Sequence, residues 1–148
     1  MLLVEHLLAE ARKRLVTIGE DAPLLRAATL LGAPHVSLVV VCDSTGRAIG
    51  VVSKADVVRQ MSHCEGHACT VGAASVMTRD IVKCAPGDWL NDVWSTMKRV
   101  GIRQIPILDE NSKPLGIIYA VDAVHALLGE AQDQEQLLRD YIMCVGFH

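Results

Sequence analysis

The chain has 148 residues, 51% hydrophobic and 21% charged, which excludes an intrinsically disordered protein and gives one ordinary domain or two small units sharing a core. A net charge of −3 and only 3% aromatic residues argue against a nucleic-acid surface built on phosphate neutralisation or base stacking. No apolar stretch approaches the roughly 20 residues of a membrane span, and five cysteines, an odd number, do not suggest a disulfide framework.

In chain order, residues 1–14 predict an amphipathic helix, because Leu3, Leu7, Leu8, Ala11 and Leu15 recur at helical spacing. Glu5 and His6 interrupt the apolar part, so this segment does not read as a signal peptide, and a reducing cytoplasm is the expected compartment. A first repeat, 15–64, opens with a strand at Leu15–Ile18 and a turn at Gly19–Pro23. It continues with a helix at Leu24–Leu31, a strand at Ser37–Cys42, a polar hairpin at Asp43–Gly46 and a strand at Ala48–Val52. A closing helix opens near Ser53.

A polar linker, 65–75, follows. A second repeat, 76–129, reads the same way: a strand at Ile81–Cys84, a helix at Leu90–Arg99, strands at Gln104–Leu108 and Leu115–Ile118 around a turn at Asp109–Ser112, and a helix opening near Tyr119. A shift of 66 residues superimposes the two without a gap: Asp43 on Asp109, Gly50 on Gly116, Asp56 on Asp122. The expected order is β-α-β-β-α, twice. The strand runs are almost continuously apolar, so the sheets should be covered on both faces. Residues 130–148 read as a polar stretch, Glu130–Gln136, then a last helix and tail carrying Leu137, Leu138, Tyr141 and Ile142. Both terminal helices present apolar faces that need cover, and a second subunit would supply it.

The chemistry concentrates where the third strand of each repeat hands over to a helix. Free N–H groups and the positive end of the helix dipole make an anion site there. Ser53 and Lys54 can reach a phosphate, and Asp56 in the first turn can accept ribose hydroxyls. The same residues also make an ordinary cap, Ser followed three residues later by an acid. Backbone groups around Val36, Ser37 and Val39 can read an adenine edge while apolar side chains cover its faces. A different chemistry is open in the linker, where His63, Cys64, His67 and Cys69 are ligand-type residues at close spacing; they suggest a metal- or thiol-based sensor. No nucleophilic triad or phosphate-binding loop stands out, so the chain is not expected to be an enzyme.

Val76-Met77-Thr78-Arg79-Asp80-Ile81-Val82, Gly101-Ile102-Arg103-Gln104-Ile105-Pro106-Ile107, and Ile49-Gly50-Val51-Val52-Ser53-Lys54-Ala55-Asp56 together resemble a tandem pair of cystathionine-β-synthase (CBS) domains. The resemblance implies a mixed α/β (α+β) fold with pseudo-twofold symmetry and terminal helices added. It implies a regulatory module that binds AMP, ADP, ATP, NAD or S-adenosylmethionine between the repeats, pairs as a homodimer and signals to a protein target. Thr17 is the hydroxyl residue that the family uses on ribose or phosphate. In repeat two, Lys83 replaces Thr17 and Tyr119 replaces Ser53, while Arg103, Ile105, Pro106 and Asp122 remain as expected ligand contacts. Tyr119 either blocks that slot or stacks on a base. A dimerisation scaffold without ligand is the further alternative.

Overall fold

The computed structural model describes residues 1–63 and 71–146. Each repeat turns its apolar runs into a small sheet. In the first, β1 (Thr17–Gly19) lies parallel to β2 (Leu38–Cys42), which pairs antiparallel with β3 (Ala48–Ser53). In the second, β4 (Gln104–Leu108) pairs antiparallel with β5 (Pro114–Tyr119). The strand expected at Ile81–Cys84 does not form; Cys84 makes a single parallel bridge to Ile107. Two local features limit pairing to that bridge. The Ile81 N–H is used in a turn onto the Arg79 carbonyl at 3.0 Å, and Pro86 has no N–H to offer.

The two hairpins are built alike. Asp43 Oδ1 accepts the N–H groups of Thr45 and Arg47 at 2.9 and 3.0 Å, and Asp109 Oδ1 those of Asn111 and Lys113 at 2.8 and 2.9 Å. Each turn places its register-matched residue, Gly46 or Ser112, in the left-handed region at φ +87° or +63°.

Four helices pack on these sheets: α2 (Leu24–Leu31), α3 (Lys54–His63), α5 (Leu90–Val100) and α6 (Ala120–Gly146). α2 buries Leu24, Ala27 and Leu31, and α5 buries Leu90, Val93 and Met97, the faces that their i, i+3, i+7 spacing predicts. α5 stops at Gly101, whose φ of +79° is a left-handed cap. The polar stretch Glu130–Gln136 is not a break, because α6 runs through it. Its exposed face carries i, i+4 pairs such as Gln134 with Glu130 at 3.3 Å and Arg139 with Glu135 at 2.6 Å.

The remaining helices exchange between the halves. α1 (Leu8–Arg14), preceded by a 3₁₀ turn at Val4–Leu7, belongs to the second core, where Val4 and Ala11 are buried with Leu90 and Ile107. Its N-terminal segment is tied there by Val4 N–H to Asp88 O and Leu90 N–H to Leu2 O, both 2.9 Å. α4 (Ala73–Val76), across the boundary read between linker and second repeat, belongs to the first core, with Leu24 N–H on Val71 O at 2.7 Å and Ala73 N–H on Ala22 O at 3.0 Å. The apolar face of α1 is therefore covered by the chain's own second half, not by a second subunit.

A third cluster joins the halves. Leu38 and Val40 project from β2 onto Ile117 and Tyr119 of β5, while Val39 and Val41 point the other way into the first core. This two-sided cover is why β2 reads as unbroken valine rather than as an alternation.

Candidate functional site

β3 ends at Ser53 and α3 begins at Lys54, so Ser53 caps the helix. Its N–H and Oγ donate to Asp56 Oδ2 at 2.9 and 3.1 Å, and the Asp56 N–H donates back to Ser53 Oγ at 3.3 Å. The ordinary cap weighed from the sequence is thus formed in full. The cap uses only Oδ2 and leaves Oδ1 of the carboxylate outside it. Asp56 is 6% exposed, and its Oδ1 faces the exposed Arg59 guanidinium at a long 3.4 Å. A buried carboxylate at a helix N-terminus, with one oxygen held by a loose surface cation, can exchange that cation for hydroxyl donors. Lys54 is exposed beside it.

The corresponding place in repeat two is arranged differently. Asp122 is gripped by Arg14 of α1, Nε to Oδ2 at 3.0 Å and Nη2 to Oδ1 at 3.1 Å. The same guanidinium lies 4.3 Å from the centre of the Tyr119 ring. The hydrogen bond to Asp122 raises the pKa of Arg14 further. Tyr119 is 7% exposed and its hydroxyl crosses to repeat one, accepting the Ser37 N–H at 3.0 Å and donating to the His35 carbonyl at 3.3 Å.

Sequence reasoning kept each site within one repeat, with Val36, Ser37 and Val39 beside Ser53 and Asp56. The structure joins the Ser37 backbone to Tyr119 of the other repeat. Arg14 is not among the residues expected from the sequence: it sits 108 residues from Asp122, and no spacing signals that pairing.

The other expected contacts fall in three settings. Val36 and Val39 are buried in the first core, and Ile105 in the second, so these positions can offer backbone groups rather than side chains. Pro106 is buried, and Cys84 Sγ lies 3.7 Å from its carbonyl oxygen. Thr17 is exposed on β1, in register with Val40. Lys83 is exposed at the rim of a shallow cavity of about 210 Å³ shared with Cys84, Asp88 and Asp92. Arg103 lines a groove of about 380 Å³ with Trp94, Lys98 and Ile102.

Burial pushes the Cys84 thiol up to about 12, which keeps it protonated, and raises that of half-buried Cys42 as well. Of the linker residues, His63 ends α3, while Cys64, His67 and Cys69 lie outside the described residues. Among the described residues no group of three or more His, Cys, Asp or Glu could hold a metal, and no helix is long and apolar enough to cross a membrane.

The CBS-domain family model matches the chain twice, over residues 4–63 and 73–129. The chain belongs to the CBS-domain family. The first match includes the N-terminal helix that the second core holds. The CBS-domain protein ATU1752 from Agrobacterium tumefaciens is 26% identical, with a TM-score of 0.72 over 84% of this chain and 97% of that one. The CBS-domain protein PAE2072 from Pyrobaculum aerophilum, complexed with AMP, is 20% identical, with a TM-score of 0.71 over 82% and 89%. The γ-3 subunit of 5′-AMP-activated protein kinase from Sus scrofa is 25% identical over 123 residues, 77% of this chain. The chain spans 23% of that subunit's length and 40% of that of another curated relative.

Proposed function

We propose that this CBS pair is a regulatory module that binds an adenosine-containing ligand, one of AMP, ADP, ATP, NAD or S-adenosylmethionine, in the cleft beside Ser53 and Asp56. The observation that carries this reading is the buried Asp56 carboxylate at the head of α3, with Oδ1 held by a loose surface cation. Ser53 and Lys54 supply the phosphate side of the site, and Asp56 takes the ribose. The 66-residue register that carries Tyr119 onto Ser53 carries Ser37 onto Arg103. By that relation we assign the backbone from Arg103 through Ile105 and Pro106 to the adenine edge of the same cleft, with Lys83 as a further phosphate contact. Thr17, Val36, Ser37, Val39 and Asp122 belong to the second cleft. The AMP complex of PAE2072 supports the ligand class, and the kinase γ subunit supports a regulatory role.

Two chains associate through helices, and the ligand acts by favouring one arrangement over another for a protein target to read. Only differential affinity for the two arrangements can do this.

A thermal-shift panel of AMP, ATP, NAD and S-adenosylmethionine tests the reading. A true ligand at 100 times its Kd adds about 2.7 kcal/mol of stability. Asp56→Ala is expected to weaken that ligand at least about tenfold in calorimetry, or about 1.4 kcal/mol. Unchanged affinity in the folded variant removes Asp56 from the site, and no response to any of the four leaves the scaffold reading in its place.

A further inference from the structure

The two clefts of this chain are not equivalent, and the difference lies in residues of the chain itself. In the second cleft, the Ser37 N–H and both oxygens of Asp122 already have partners. The Ser37 N–H, assigned above to an adenine edge, is bonded to Tyr119 Oη at 3.0 Å. The neighbouring His35 carbonyl takes the same hydroxyl's proton at 3.3 Å. Both oxygens of Asp122, the ribose acceptor, are forked by Arg14 at 3.0 and 3.1 Å. The guanidinium covers the Tyr119 ring at 4.3 Å, so the two side chains form one stacked unit.

That unit copies the polar points of a nucleoside. A flat ring carries a donor and acceptor at its edge against backbone, and a row of donors meets a carboxylate. Across the 66-residue register, Tyr119 corresponds to Ser53 and Arg14 to Asp80. A serine is too small and an aspartate has the wrong charge to fill the first cleft in the same way.

We propose that Arg14 and Tyr119 are a built-in occupant of the second cleft, so that the module takes one adenosine ligand per chain, in the cleft of Asp56. This rests on the adenosine reading above. Binding in the second cleft would have to break the Arg14–Asp122 pair and the Tyr119–Ser37 bond together. Because Arg14 ends α1 and α1 is anchored in the second core, the occupant is held by the fold rather than by a free loop.

The test is calorimetric titration of the full chain with AMP, in the wild type and in three variants: Arg14→Gln, Tyr119→Ser, and the two combined. The expected result is one AMP per chain in the wild type and two in the double variant, with Asp122→Asn added to the double variant returning it to one. Arg14→Gln alone leaves the Tyr119 packing in place. It is expected to bind a second AMP at least tenfold more weakly than the double variant, and it keeps the test valid should Tyr119→Ser not fold. Two AMP per chain in the wild type, or one in every folded variant, overturns the proposal while leaving the adenosine reading intact. No AMP in the wild type but one in the double variant supports the occupant and removes Asp56 from ligand binding. No AMP in any folded variant ends both ideas.

Discussion

Asp43 and Asp109 are matched residues with matched tasks, each closing a hairpin by accepting two backbone N–H groups. Asp43 also accepts the Thr45 hydroxyl at 2.7 Å, and that bond, followed by the Arg47 N–H, lowers its pKa below the ordinary 3.8. A carboxyl held low in the folded state contributes stability above its unfolded pKa and loses it as pH falls through the folded value. Asp43→Ala is therefore expected to melt lower than the wild type at neutral pH. The two curves should converge well below pH 3.8, and a difference that persists unchanged into acid would show that the carboxylate charge is not what holds the turn. At this scale the sequence was legible, since an aspartate binds its own neighbours. Arg14 was not, because nothing near it in the chain tells which carboxylate it meets.

Among the elements, the decisive contact is where a helix crosses a strand without room for a side chain. A Cβ on Gly116 would lie 2.8 Å from the carbonyl carbon and Cβ of Ala11 and 2.9 Å from its oxygen, all in α1. Its register mate Gly50 meets Met77 and, at 3.0 Å, the Thr78 carbonyl, just after α4. At both glycines the missing Cβ is what lets the exchanged segments approach the strand so closely. Gly116→Ala is expected to cost about 1–3 kcal/mol in urea unfolding, as overpacking against backbone does. Gly19→Ala, where a Cβ meets nothing within 4 Å, should shift the midpoint far less. Equal effects would mean that the crossing is not tight.

For the whole molecule, the exchange of α1 and α4 means that neither core is complete without a helix from the other side of the sequence. The halves are thus tied into one body whose symmetry is broken at Arg14, Tyr119 and Lys83. What the chain leaves uncovered points outward. Val58 and Met61 on α3 are 65% and 61% exposed, three residues apart on one face, and Val121 and Leu128 are exposed on α6. If paired chains meet through these helices, sedimentation should give twice the chain mass. Val58→Glu with Met61→Glu should then give the single-chain mass without loss of helix content, and an unchanged dimer would move the interface elsewhere.

The 66-residue repeat, the hairpins, the buried helical faces and the family resemblance were all written in local pattern, because strands, turns and amphipathic helices are set by neighbours a few residues apart. The identity of each cleft was not. It depends on which backbone edge faces which helix start, and on a guanidinium brought in by a helix from the far end of the chain. Those are decided by how the two sheets stack, so only the folded molecule could show Asp122 forked by Arg14 in one repeat and Asp56 facing a surface guanidinium at a long 3.4 Å in the other.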